Sequence, residues 1–166
     1  MQQSDKDKIE SKHTELPNAI LIPKIIEFLE AGHTVTLPLK GFSMRPFLED
    51  GRDKALLIKP KLEKIKVGDP VLAETEPKHF VLHRIIKIEG EAVTLLGDGN
   101  LRPEHCSLKD IKATVIGFYR KGSQQLDRID GRKWKIYSKV WMSLRPIRRW
   151  LLAFYRRLWI PIFGSK

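Results

Sequence analysis

Apolar residues recur along the chain in three rhythms. Over residues 21–32 (LIPKIIEFLEAG) they come three and four apart, which predicts a short amphipathic helix. Pro23 suits its first position and Gly32 the residue after its end. The second rhythm is a series of short, alternating, β-branched segments at 35–39, 55–59, 71–74, 80–88, 92–96 and 113–119. Turn signals separate them: Val67-Gly-Asp69, Glu89-Gly-Glu91 as a hairpin loop, and Gly97-Asp-Gly-Asn100. Together they predict an antiparallel β domain. Gly41 and Pro46 break the pattern after the first strand and put Ser43 on a turn. Residues 122–131 are polar and read as a linker. The third rhythm is helical, in two pieces at 132–144 and 147–159 split by Pro146, with Pro161 stopping the second. A helical wheel of the second piece puts Ile147, Trp150, Leu151, Phe154 and Leu158 on one face. Arg149 and Arg156 fall opposite, and Arg148 and Arg157 flank. The expected organisation is a loose charged arm at 1–17, a mainly β domain with its leading helix at 18–121, the linker, and an amphipathic tail at 132–166.

Charge sharpens this division. The 166 residues carry a formal charge of +11, but residues 132–166 hold ten Lys and Arg with no acid, and all four Trp. The first 131 residues are close to neutral. A single Cys106 cannot form an internal disulfide, and Cys and His are not clustered at ligand spacing, so neither a metal nor a cofactor is expected. The N-terminus lacks the basic and apolar regions of a secretory signal peptide, and no stretch reaches about 18 apolar residues.

The candidate chemistry lies in three separated pieces. Ser43, held in a Gly/Pro turn, is placed as a nucleophile must be to reach a carbonyl. His83 lies mid-strand in Val81-Leu-His-Arg-Ile-Ile86, where aliphatic neighbours would keep its imidazole near neutral, the state of a general base. Asp98 lies in a turn after the next strand and would return toward His83 if residues 89–91 form a hairpin. Each piece also has a plain structural use: Ser in a tight turn, His packed in a strand, Asp capping its own turn.

Taken in order, Gly41-Phe-Ser43-Met44-Arg-Pro46, Val67-Gly68-Asp69, Val81-Leu-His83-Arg84-Ile85 and Gly97-Asp98-Gly-Asn100 resemble the signal peptidase superfamily, which includes the LexA-type self-cleaving repressors. The resemblance covers roughly residues 33–120 and lies with the Ser–His branch, found in the endoplasmic-reticulum and archaeal enzymes. It implies a β barrel-like peptidase domain, Ser43 as the acyl-forming nucleophile and His83 as its base. An acid orients the His in that branch, and both Asp98 and Glu104, six residues on, stand as candidates. The oxyanion would be met by backbone N–H groups of Ser43 and Met44. The hydroxyl that some bacterial members carry two residues before the nucleophile is Gly41 here, and Asp50-Gly-Arg-Asp53 stretches the family's usual Gly-Asp.

These readings make the chain a serine endopeptidase with a peptide or protein substrate. The alternative is a non-catalytic or self-cleaving regulatory module of the same fold that binds a partner or DNA through its tail. The tail's Trp150 and Phe154, with Arg148, Arg149, Arg156 and Arg157, match a helix lying in an anionic membrane surface. The expected location is peripheral, on the cytoplasmic side. The same helices could instead pack on the β domain. Nucleic acid is the weakest reading, since residues 1–32 form no helix-turn-helix.

Overall fold

The computed structural model describes residues 17–163. The arm expected at 1–17 lies outside them except for Pro17, as do the last three residues of the tail. Helix α1 (Asn18–Glu30) forms because Ile22, Ile25 and Leu29 align on one face and bury there. It begins a turn earlier than its sequence signals suggest, so Pro23 lies inside it. Pro23 is exposed, so water can reach the carbonyl its ring leaves unbonded, and burial of the apolar stripe outweighs the lost bond. The helix ends as expected: Gly32 is left-handed at φ +86°, with Gly32 N–H bonded to Leu29 O and His33 N–H to Phe28 O.

Eight antiparallel strands follow: β1 (Val35–Pro38), β2 (Lys54–Ile58), β3 (Pro70–Glu76), β4 (His79–Glu89), β5 (Ala92–Leu96), β6 (Glu104–Ser107), β7 (Ile111–Tyr119) and β8 (Leu126–Arg128). Their order across one sheet is β1-β2-β7-β3-β4-β5-β6, with β8 also paired to β7. The hairpin at 89–91 joins β4 to β5. The expected barrel is not closed: β1 and β6 are open edges with no pairing between them. One apolar face of the sheet, including Leu57, Leu72, Ala113 and Val115, is covered by α1 and by Trp134 from the tail. Helices therefore do the burying that a closed sheet would do for itself. Val71 and Ala73 alternate with Leu72 and enter a second core with Ile85, Val93, Leu95 and Ile111.

The tail is less separate than its charge suggests. Strand β8 lies within the segment read as a linker. Helix α2 (Arg132–Ser143) buries Trp134, Ser138 and Trp141 against the β domain. A 3-10 turn (Arg145–Ile147) carries Pro146, and α3 (Arg148–Phe154) follows. Pro161 does not stop this helix. A π-helical turn (Tyr155–Trp159) widens it and leads into α4 (Ile160–Phe163), which accommodates the proline ring in a wider turn. No helix among the described residues is long and apolar enough to cross a membrane.

If α2 is part of the folded domain, Trp134→Ala lowers unfolding free energy by about 3–5 kcal/mol in a denaturant titration. Trp150→Ala, at a position 73% exposed, changes it by less than about 0.5 kcal/mol.

Candidate active site

Ser43 sits on the loop between β1 and β2, and a buried carboxylate fixes that loop. Asp53 accepts the N–H of Glu49 and of Lys121, each at 2.9 Å, and pairs with Arg52 at 2.8 Å. Burial works to raise the Asp53 pKa, but these donors outweigh it and hold the carboxyl below its usual range. The backbone closes the same loop through Leu39 N–H to Asp53 O and Gly51 N–H to Leu39 O, both 2.9 Å. Gly41, left-handed at φ +85°, gives its N–H to Asp50 Oδ1 at 2.6 Å. The Asp50–Asp53 stretch is thus the anchor of the Ser43 loop. On its inner side, Met44, Phe47 and Leu48 enter the first core. Ser43 is left half-exposed.

His83, on β4, is 3% exposed, and its Nδ1 meets Glu104 Oε2 at 2.7 Å. Glu104 opens β6 and pairs with Leu95, which places its carboxylate beside β4. Of the two acids proposed to orient His83, the structure brings Glu104 to it. The other ring nitrogen points to the Ser43 loop: a Cβ on Gly97 would lie 3.0 Å from His83 Nε2 and 2.5 Å from Ser43 O. Ser43, Met44, His83, Asn100 and Glu104 line one cleft of about 590 Å³, walled by Leu21, Leu39, Leu72 and Leu82. Burial lowers the His83 pKa, and Glu104 opposes this only in part, so the ring is neutral at pH 7.

Asp98 serves a different partner. Its two oxygens take Arg84 Nε at 2.9 Å and Nη2 at 2.6 Å, and Tyr137 Oη donates to it at 2.8 Å. Both members of the pair have no exposure. Arg84 also donates to Gly68 O at 3.0 Å and to the Ser138 hydroxyl, and lies 4.5 Å from the Trp134 ring centre. Trp141 Nε1 donates to Asp98 O at 3.2 Å. The Asp98 loop in turn holds the Ser43 turn, since Gly99 N–H donates to Ser43 O at 2.7 Å. Sequence reasoning missed Arg84, Tyr137, Trp141 and Asp53. The adjacency of Arg84 to His83 was the available signal for the first; the two aromatics were masked by the basic composition around them.

No family model, no curated protein and no solved structure matches the chain. Among the described residues, no group of three or more His, Cys, Asp and Glu is placed to hold a metal ion. Cys106 packs against the second core, and burial pushes its thiol up to about 11, which keeps it protonated and unreactive at pH 7.

The residues expected to meet a membrane divide. Trp150 and Phe154 are exposed, as are Arg149 and Arg157. Arg148 is not: it is 3% exposed and donates to Trp141 O at 3.2 Å, so it faces the domain. Helical phase explains this, because Arg148 and Leu152, four apart, share the face that α3 buries. Arg156 remains exposed but gives Nη2 to Gly99 O at 2.8 Å.

Two outcomes test this geometry. Gly97→Ala forces Ser43 O or His83 to move and destabilises the fold by about 1–3 kcal/mol, with a displaced His83 ring resonance in NMR spectra. Because the lowered His83 pKa means the unfolded chain binds the extra proton first, stability falls as pH drops below about 6.5. His83→Gln removes that part of the slope in denaturation measured between pH 7.5 and pH 5.

Proposed function

We propose that the chain is a serine endopeptidase of the signal-peptidase type, in which Ser43, His83 and Glu104 act together. The observation that carries this reading is the His83–Glu104 contact, which engages Nδ1 and leaves Nε2 toward the Ser43 loop. Nε2 takes the Ser43 proton as Oγ bonds to a peptide carbonyl carbon, and Glu104 stabilises the resulting imidazolium. The tetrahedral intermediate collapses, the C–N bond breaks, and His83 returns its proton to the leaving amine. Water then attacks the ester, giving its proton to Nε2, and Ser43 recovers a proton as the acid product leaves. The N–H groups of Ser43 and Met44 donate no hydrogen bond among the described residues, which suits them to receive the oxyanion. The leucine-lined cleft favours a substrate with apolar residues beside the cleaved bond. Asp98 acts as a positioning residue through Arg84.

A second reading rests on one observation: Ser43 Oγ forms no hydrogen bond with His83 among the described residues. A regulatory module of the same fold, inactive until a partner closes that gap, would have this geometry. An acylating fluorophosphonate separates the two: labelling of Ser43 in the wild-type protein, lost in Ser43→Ala, supports the peptidase, and an unlabelled folded protein supports the module.

The exposed Trp150, Phe154, Leu158 and Trp159, with Arg149 and Arg157 nearby, favour peripheral attachment to an anionic membrane. Trp150→Ala with Phe154→Ala is expected to abolish sedimentation with anionic vesicles; binding to DNA without pelleting would reverse the assignment.

For the catalytic reading, kcat/KM is expected to rise with pH along an acid limb whose apparent pKa lies below 6.5. Glu104→Gln lowers kcat by roughly 10²–10⁴-fold. It also moves the limb to lower pH, because the carboxylate is what pulls the His83 pKa upward. A loss of rate with an unmoved limb would assign Glu104 a structural role only.

A further inference from the structure

On the other side of the Asn100 turn from the cleft lies a second groove, of about 620 Å³. Its wall is largely apolar, with Ile86, Leu96, Leu101, Pro103, Met142 and Pro146, and two cations join it, Arg145 and Arg148. Arg148 is the unusual member. Its guanidinium is buried, yet among the described residues Nε and Nη1 have no hydrogen-bond partner, and only Nη2 is engaged, at Trp141 O. Arginine does not give up its proton in proteins, so this is a buried cation with donors unused, which is strongly unfavourable unless something completes it.

The nearest acid does not complete it. Asp98 influences Arg148 through space, but its oxygens are taken by Arg84 and Tyr137. Among the described residues, no acidic side chain lines the groove. Burial accordingly pulls the Arg148 pKa down from its usual value. Trp141, with Arg148 Cζ 5.3 Å from its ring centre, supports one side of the guanidinium without satisfying its N–H groups.

From the unused Arg148 donors in an apolar groove we infer that this groove binds an anionic amphiphile, an oxyanion head on an apolar chain. A guanidinium whose Nε and Nη1 hydrogens are unused has charged donors left for the oxygens of a carboxylate or phosphate. Leu96, Leu101 and Pro103 would bury the chain, and Arg145 at the groove would add attraction for the head. The site does not depend on the chemistry of Ser43, so it stands or falls apart from the peptidase reading.

The test is calorimetric titration of the full chain with octanoate and with octyl phosphate, both below their micelle concentrations, beside octanol, acetate and inorganic phosphate. Saturable binding of octanoate or octyl phosphate, at least about ten-fold tighter than of octanol and of the tailless anions, is expected; which of the two binds better identifies the head. Arg148→Gln and Arg148→Lys should each weaken it about ten-fold or more, with folding checked by circular dichroism, and Ser43→Ala should leave it unchanged. Leu101→Glu, at an exposed position, gives a second variant that should weaken binding without touching Arg148. Octanol binding as tightly as octanoate, or affinity unaltered in Arg148→Lys and Leu101→Glu, overturns the inference. Loss in Ser43→Ala would place the ligand in the catalytic cleft and overturn it as well.

Discussion

A buried ion pair between Arg84 and Asp98 is the constraint on which the rest of this molecule depends. Two charges taken out of water are tolerated only when every donor and acceptor is met. Here the partners come from four places: β4, the 97–100 loop, the turn before β3, and helix α2. The pair therefore obliges elements distant in sequence to arrive together. It also explains why α2 folds against the sheet despite its charge. Trp134 lies over the guanidinium, and Tyr137 and Trp141 bond the Asp98 loop.

What the pair accomplishes for the site is indirect and geometric. His83 and Arg84 are neighbours on one strand and point to opposite sides of it. Fixing Arg84 fixes the backbone that presents His83, and fixing Asp98 fixes the loop whose Gly99 N–H grips Ser43 O. The Ser43 turn is thus held from two directions, by that grip and by Asp53 at its far end. Between them lies an imidazole whose pKa burial lowers and which a half-exposed carboxylate orients. Glycine at 97 is required because the Ser43 carbonyl and the His83 ring leave no room for a Cβ.

Much of this was legible in the chain, and the parts that were not share a cause. Alternation along β4 and the Glu89-Gly-Glu91 hairpin located His83 and its neighbours, and Gly/Pro punctuation placed Ser43 on a turn. Local pattern carries such information because strand period and turn chemistry act over a few residues. Barrel closure was misjudged because it depends on what covers the sheet, and the cover came from α1 and Trp134, remote in sequence. Arg148 was read as a membrane cation because its residue type and its neighbours fit one. Only the docking of α3 shows that it shares a buried face with Leu152. Choosing between Asp98 and Glu104 likewise required knowing that Arg84 would claim Asp98.

The dependence of the 97–100 loop on α2 also bears on when that loop can be completed during synthesis. A ribosome that has delivered the chain through β7 has delivered Ser43, His83 and Glu104, but not Tyr137, Ser138 or Trp141. The Asp98 loop then lacks its cover, and the Arg84 pair is open to water on that side. A domain folds as a unit, so the polar centre of the sheet closes only once α2 has arrived. The latest segment to emerge thus sets when the Ser43 turn becomes rigid.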